Sequence, residues 1–103
     1  MDFKEIQEKI IENAFNYGKK YNVKIDEDFA LLKLCEEFGE FFQAVLIQRK
    51  KCRPEKFVSE EISKKEVAKE MADVLGMLVV NAHLLDINLI DALKEKWINK
   101  KNS

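Results

Sequence analysis

With 103 residues, 47% of them hydrophobic and 36% charged, the chain can close one small core and predicts a single domain over residues 1–103. Its formal net charge of -1 argues against a general nucleic-acid binder, because counterion release from phosphates needs a concentrated basic surface. Three Gly and one Pro among abundant Leu, Ile, Glu, Lys and Ala leave few helix breakers, so the predicted class is all-α.

The opening MDFKEIQEKI carries acids in its first turns and no uncharged apolar block, and so predicts neither a signal nor a transit peptide. Asp2 with Glu5 forms a capping-box-like start, and Phe3, Ile6, Ile10 and Ile11 recur at helical spacing, predicting a first helix over roughly 3–20 that stops near Gly18 and the polar YGKKYNV. Asp26 or Asp28 caps a second helix running to about Lys51, with Leu31, Leu34, Phe38, Phe41, Phe42 and Val45 expected to be buried. Pro54 and the charges around it mark a loop that has room for a turn of helix. Ser63 with Glu66 predicts the cap of a third helix over roughly 64–85, and Asn88 with Asp91 that of a fourth over roughly 89–101.

The apolar run from Met71 to Leu85 is shorter than a bilayer span and holds Asp73, Asn81 and His83, so it is expected to be a core helix rather than a membrane segment. Its apolar residues leave no broad wet side, and a bundle this small cannot shield them all. The expected architecture is therefore an antiparallel bundle of four main helices completed by a second chain, as a homodimer or homotetramer. Cys35 and Cys52 are too far apart for a CxxC motif and read as reduced thiols of a cytoplasmic protein.

Two acidic clusters carry the chemistry. On the second helix Glu36, Glu37 and Glu40 fall on the side opposite Phe38 and Phe42, yet Ala44 and Ile47 continue that same side, which is expected to be covered. On the third, Glu70 and Asp73 share a face with Met77, Val80 and Leu84, so two carboxylates enter a buried helix in register with its core. Lys69 can reach Asp73, but no base stands three or four positions from Glu70 in this helix. Desolvated carboxylates need cations, protonation or water. Antiparallel helices about 8–10 Å apart let carboxylates from both sides meet around an ion. An all-oxygen donor set suits Mg²⁺, with Mn²⁺ an alternative, rather than zinc. A di-iron centre would need ExxH pairs, whereas His83 has Val80 three residues before it and reads as an interior or interface histidine. Carboxylate-bound Mg²⁺ on a helical bundle points to phosphate chemistry, with Lys50, Lys51, Arg53 and Lys56 as candidate supplementary phosphate contacts.

EEFGE at 36–40 and EMAD at 70–73, the latter leading into DVLGMLVVNAHLL, together resemble the EExxE and ExxD motifs of the MazG-like nucleoside triphosphate pyrophosphohydrolases. The resemblance spans about residues 28–100. It implies an all-α fold, dimers or tetramers, and Mg²⁺-dependent attack of water at the α-phosphorus to give a nucleoside monophosphate and pyrophosphate. By that resemblance Glu37, Glu40, Glu70 and Asp73 are metal ligands and Glu36 or Glu37 orients or deprotonates the water. Lys96 and Asn99 are the nearest match to a phosphate-holding Lys and Asn of many relatives. A phosphoribosyl-ATP pyrophosphohydrolase-like enzyme and a catalytically inactive nucleotide- or protein-binding module are the alternative readings.

Overall fold

A computed structural model of the chain describes residues 1–99, and among these every regular element is helical. Helix α1 spans Phe3–Tyr21. Its start is the capping box expected from the sequence, with the Glu5 N–H donating to Asp2 Oδ1 at 2.8 Å. Its span agrees with the expected 3–20, and Gly18 falls within it. That residue lies inside it, buried, where a Cβ would come within 2.7 Å of both the Val23 carbonyl oxygen and Ile25 Cγ1. Its own carbonyl accepts the Val23 N–H at 2.8 Å, and Asn22 supplies the left-handed residue, φ 55°, that turns the chain. Gly18 is therefore a point of close approach rather than a helix breaker.

Helix α2 spans Glu27–Gln48, and of the two candidate caps it is Asp26 that accepts the Phe29 N–H, at 2.9 Å. It ends about one turn before the expected Lys51, because Lys50 takes the left-handed conformation at φ 56° and the Lys51 N–H turns back to the Leu46 carbonyl. A single 3₁₀ turn, Pro54–Lys56, fills the connection. Helix α3 then spans Glu60–Leu84 and starts four residues earlier than expected. Ser59 is its cap, accepting the Ile62 N–H at 3.2 Å, while Ser63 is buried in the first turn and donates its hydroxyl to the Glu60 carbonyl. The SxxE pattern at 63–66 drew attention from the real start, which has no reciprocal carboxylate but gains Glu60 and Glu61 beside the positive end of the helix dipole. Helix α4 covers Leu89–Leu93 behind the expected Asn88 cap and continues as a π-helical turn over Lys94–Ile98, with Asn99 as its C-cap; residues 100 and 101 of the expected helix lie outside the described residues.

Helix α3 is the central element, with α2 antiparallel along it and α1 against it near Ile10 and Phe15. The buried apolar core is small: Ala30, Val79, Val80 and Ala82. The expected burial of the Phe38/Phe42 stripe does not occur within one chain. Phe42 and Leu31 are each 57% exposed and Phe38 37%, whereas Glu37 is 6% exposed. The side of α2 that turns toward α3 is thus the acidic one, with half-buried Phe41, Ala44, Val45 and Ile47 along its flanks. Met71, Leu75, Leu78 and Leu85 of α3 are likewise exposed, so its apolar circumference is only partly covered. His83 is exposed rather than interior, set edge-on to Phe15 at 5.9 Å. No single helix among the described residues is long and apolar enough to cross a membrane.

Candidate metal centre

An uncharged side chain ties α3 to α2. Asn81 donates through Nδ2 to the Ala30 carbonyl at 2.9 Å and to the Met77 carbonyl of its own helix at 2.7 Å. From this pin, two turns along α2 and two turns back along α3 arrive at Glu37 and Asp73. One further turn arrives at Glu40 and Glu70. All four carboxylates therefore meet at the seam between the helices, in the register that the Asn81 bond and the packing around Ala30 share.

The resulting geometry is two overlapping triads. Glu36, Glu37 and Glu40 each bring a carboxylate oxygen within 4.8 Å of the others, and so do Glu37, Glu70 and Asp73. Glu37 belongs to both and is the most enclosed of the five. Glu70 is half-buried, but its Oε2 is fully enclosed and has no hydrogen-bond partner. A buried polar atom without a partner is costly, and a carboxylate oxygen in that state is a natural donor to a cation.

Burial of this charge is visible in proton affinity. Desolvation first, then hydrogen bonding and repulsion from Glu40, then Asp73, push the Glu37 carboxyl up to about 7. Desolvation, followed by the charges of Glu40 and Asp73, raises Glu70 as well. The nearby basic group is Lys33, which lies directly against Glu36 and 4.0 Å from Glu37. Its hydrogen bond to Glu36 raises its pKa and holds it charged. Lys69 makes no ion pair with Asp73.

Five of the seven sequence-predicted site residues are thus brought together: Glu36, Glu37, Glu40, Glu70 and Asp73. Lys96 and Asn99 are not. Both are exposed on the π-helical end of the chain, and neither lines the cavities that adjoin the carboxylates. Sequence reading missed Lys33 and Asn81 as parts of the centre. Lys33 stands three and four residues before Glu36 and Glu37, a spacing that signals an intrahelical ion pair. Asn81 was recognisable as an amide inside an apolar run, though its partner on α2 was not.

The donor set is all carboxylate oxygen, which fits a hard divalent cation and offers nothing to a soft one. Two open cavities flank the cluster. One, of about 390 Å³, adjoins Glu40 and Glu70; the other, of about 450 Å³, adjoins Glu37 and Asp73 and also meets Lys33 and α1. Compared with protein-family models, with curated proteins and with solved structures, the chain matches none.

Proposed function

We propose that the chain is a Mg²⁺-dependent nucleoside triphosphate pyrophosphohydrolase of the MazG-like kind, yielding a nucleoside monophosphate and pyrophosphate. The observation that carries this reading is the pair of triads sharing Glu37, with an unpartnered, enclosed Glu70 oxygen among them. Glu37, Glu40, Glu70 and Asp73 would hold Mg²⁺, or Mn²⁺ in its place, and two triads with a common carboxylate have donors for a pair of ions. The metal, when bound, offsets phosphate charge and lowers the pKa of a water to that of a neutral-pH nucleophile. Glu36 is left outside the Glu37–Glu70–Asp73 triad, is exposed and pairs with Lys33, a position from which it would take the proton of the attacking water. Glu37, shared by the two triads, would help to orient the reacting groups.

The same reading includes a homodimer or homotetramer in the cytoplasm. The chain exposes 8164 Å², against about 6,000 Å² for a compact monomer of its mass, and its radius of gyration is 16.3 Å against about 13 Å. The excess is of the size that stable protein interfaces bury, and Phe38, Phe42, Leu75 and Leu78 are apolar enough to lie in one. Cys35 and Cys52 are unpaired, as in a reducing compartment.

The test is pyrophosphate release from a panel of canonical nucleoside triphosphates with Mg²⁺. Glu70→Ala and Asp73→Ala are each expected to lower kcat/KM by roughly 10²–10³-fold while helical content is kept. Nucleotide binding without turnover would replace this reading by that of an inactive binding module, and turnover of phosphoribosyl-ATP alone would change the substrate.

A further inference from the structure

The two carboxylate triads share Glu37 but differ in what already faces them. In the triad carried wholly by α2, Glu36–Glu37–Glu40, a cation of the chain's own is in place: Lys33 Nζ lies directly against Glu36 Oε1 and 4.0 Å from Glu37 Oε1. Two of its three carboxylates thus meet an ammonium. In the triad that crosses the seam, Glu37–Glu70–Asp73, neither Glu70 nor Asp73 forms an ion pair among the described residues, and Glu70 Oε2 is enclosed without a hydrogen-bond partner. That oxygen has no cation of the chain's own.

Helical spacing explains where Lys33 sits. It precedes Glu36 by three residues and Glu37 by four, so its side chain runs along one side of α2 to both carboxylates. The side chain is 35% exposed, and open space adjoins it both on the Asp73 side and on the side of Phe29 and Leu32. It is held by the carboxylates rather than walled in, and it has room to leave. While it stays, its N–H donors take the oxygen lone pairs that a metal would use, and its charge repels a divalent ion about 4 Å away. No such competitor stands against Glu70 and Asp73.

We infer that Lys33 is the resident counter-ion of the α2 triad and makes the two triads fill in order. The first divalent ion goes to Glu37–Glu70–Asp73, and a second enters Glu36–Glu37–Glu40 only as Lys33 gives way. This inference rests on the metal part of the reading above and not on hydrolysis.

The deciding experiment is Mn²⁺ binding to the full chain without nucleotide, with free ion counted by EPR and heats by calorimetry. The wild-type chain is expected to take one ion over the range in which Lys33→Met takes two, the second bound about tenfold or more tightly than in wild type. Lys33→Arg keeps the charge and should stay at one. Lys69→Met removes a charge next to Glu70 in sequence without touching the α2 triad, and it too should stay at one, which separates displacement from a general loss of positive charge. Glu70→Gln should weaken the first ion, and Glu40→Gln in the Lys33→Met chain the second. Two ions of like affinity in wild type overturn the order, as does a folded Lys33→Met chain that still takes one, or a Lys69→Met chain that takes two. A first ion weakened by Glu40→Gln and indifferent to Glu70→Gln overturns it as well. A chain that binds no Mn²⁺ in any variant loses both the metal centre and the order, whereas one that fills in the expected order but hydrolyses no triphosphate loses the hydrolytic reading and keeps this one.

Discussion

The two faces of α2 reverse the usual arrangement of a helix in a small protein. Toward α3 it presents Glu37, 6% exposed, with Glu40 beside it; away from α3 it presents Leu31, Phe38 and Phe42, between 37% and 57% exposed. A helix selected only for the stability of a single chain would turn round, because burying a carboxylate among other carboxylates costs free energy and burying a phenyl ring releases it. The inversion makes sense if each face meets something else: the inward face a cation and the outward face a second chain.

The largest effect is expected on the outward face. If the proposed homodimer packs through this face, replacing Phe38 and Phe42 together by Glu removes two aromatic anchors and sets like charges across the contact, and should weaken self-association by at least about a hundredfold. Sedimentation velocity over a concentration series measures this. A wild-type chain that sediments as a monomer throughout would break the comparison outright, leaving the phenyl rings without an occupant.

The register between the faces is tested next. Asn81→Ala removes two hydrogen bonds and leaves the Ala30 carbonyl without its cross-helix donor, and is expected to cost about 1–3 kcal/mol. For a domain of this size each kcal/mol lowers Tm by roughly 4–8 °C. Weaker Mn²⁺ binding should accompany the loss, since the same pin aligns Glu37 with Asp73. Undiminished Mn²⁺ affinity in a destabilised Asn81→Ala chain would show that the carboxylates align by other means. Gly18→Ala has no connection with the acids and is a control of similar size: its new methyl would meet a backbone oxygen at 2.7 Å, costing about 1–3 kcal/mol without changing Mn²⁺ affinity.

The smallest effect is on pH dependence. Glu37 binds its proton more tightly in the folded chain, up to about 7, than in the unfolded one. Its contribution to stability is therefore fully present below its ordinary value and lost as pH rises through about 7. In the presence of a chelator, Tm should fall across that window. Glu37→Gln, which keeps the shape and cannot ionise, should flatten the fall, and added Mg²⁺ should raise Tm more at the alkaline end, where protons no longer compete. A metal-free chain whose Tm climbs through the same window would contradict the buried environment assigned to Glu37.

The helices were largely legible because their signals are local. Asp2 with Glu5, Asp26 and Asn88 each cap where their short polar side chains reach an N–H three residues on. Where local signals competed, reading failed: Ser63 carried the fuller capping pattern, but Ser59 starts the helix. The spacing of Glu36, Glu37 and Glu40, and of Glu70 and Asp73, likewise placed each set on one side of its helix without reference to the rest of the chain.

Amino-acid order alone therefore determined the class, the elements and the clustering of acids on two helices, since all three depend on groups within a few residues of one another. Only the tertiary structure decided which side of α2 faces inward, that Asn81 holds Ala30, that Lys33 rather than Lys96 stands beside the carboxylates, and that open cavities flank them. Those outcomes depend on how two rods slide and rotate against each other. A helical period is indifferent to rotation, and it takes a contact between distant residues, here one amide on one carbonyl, to choose.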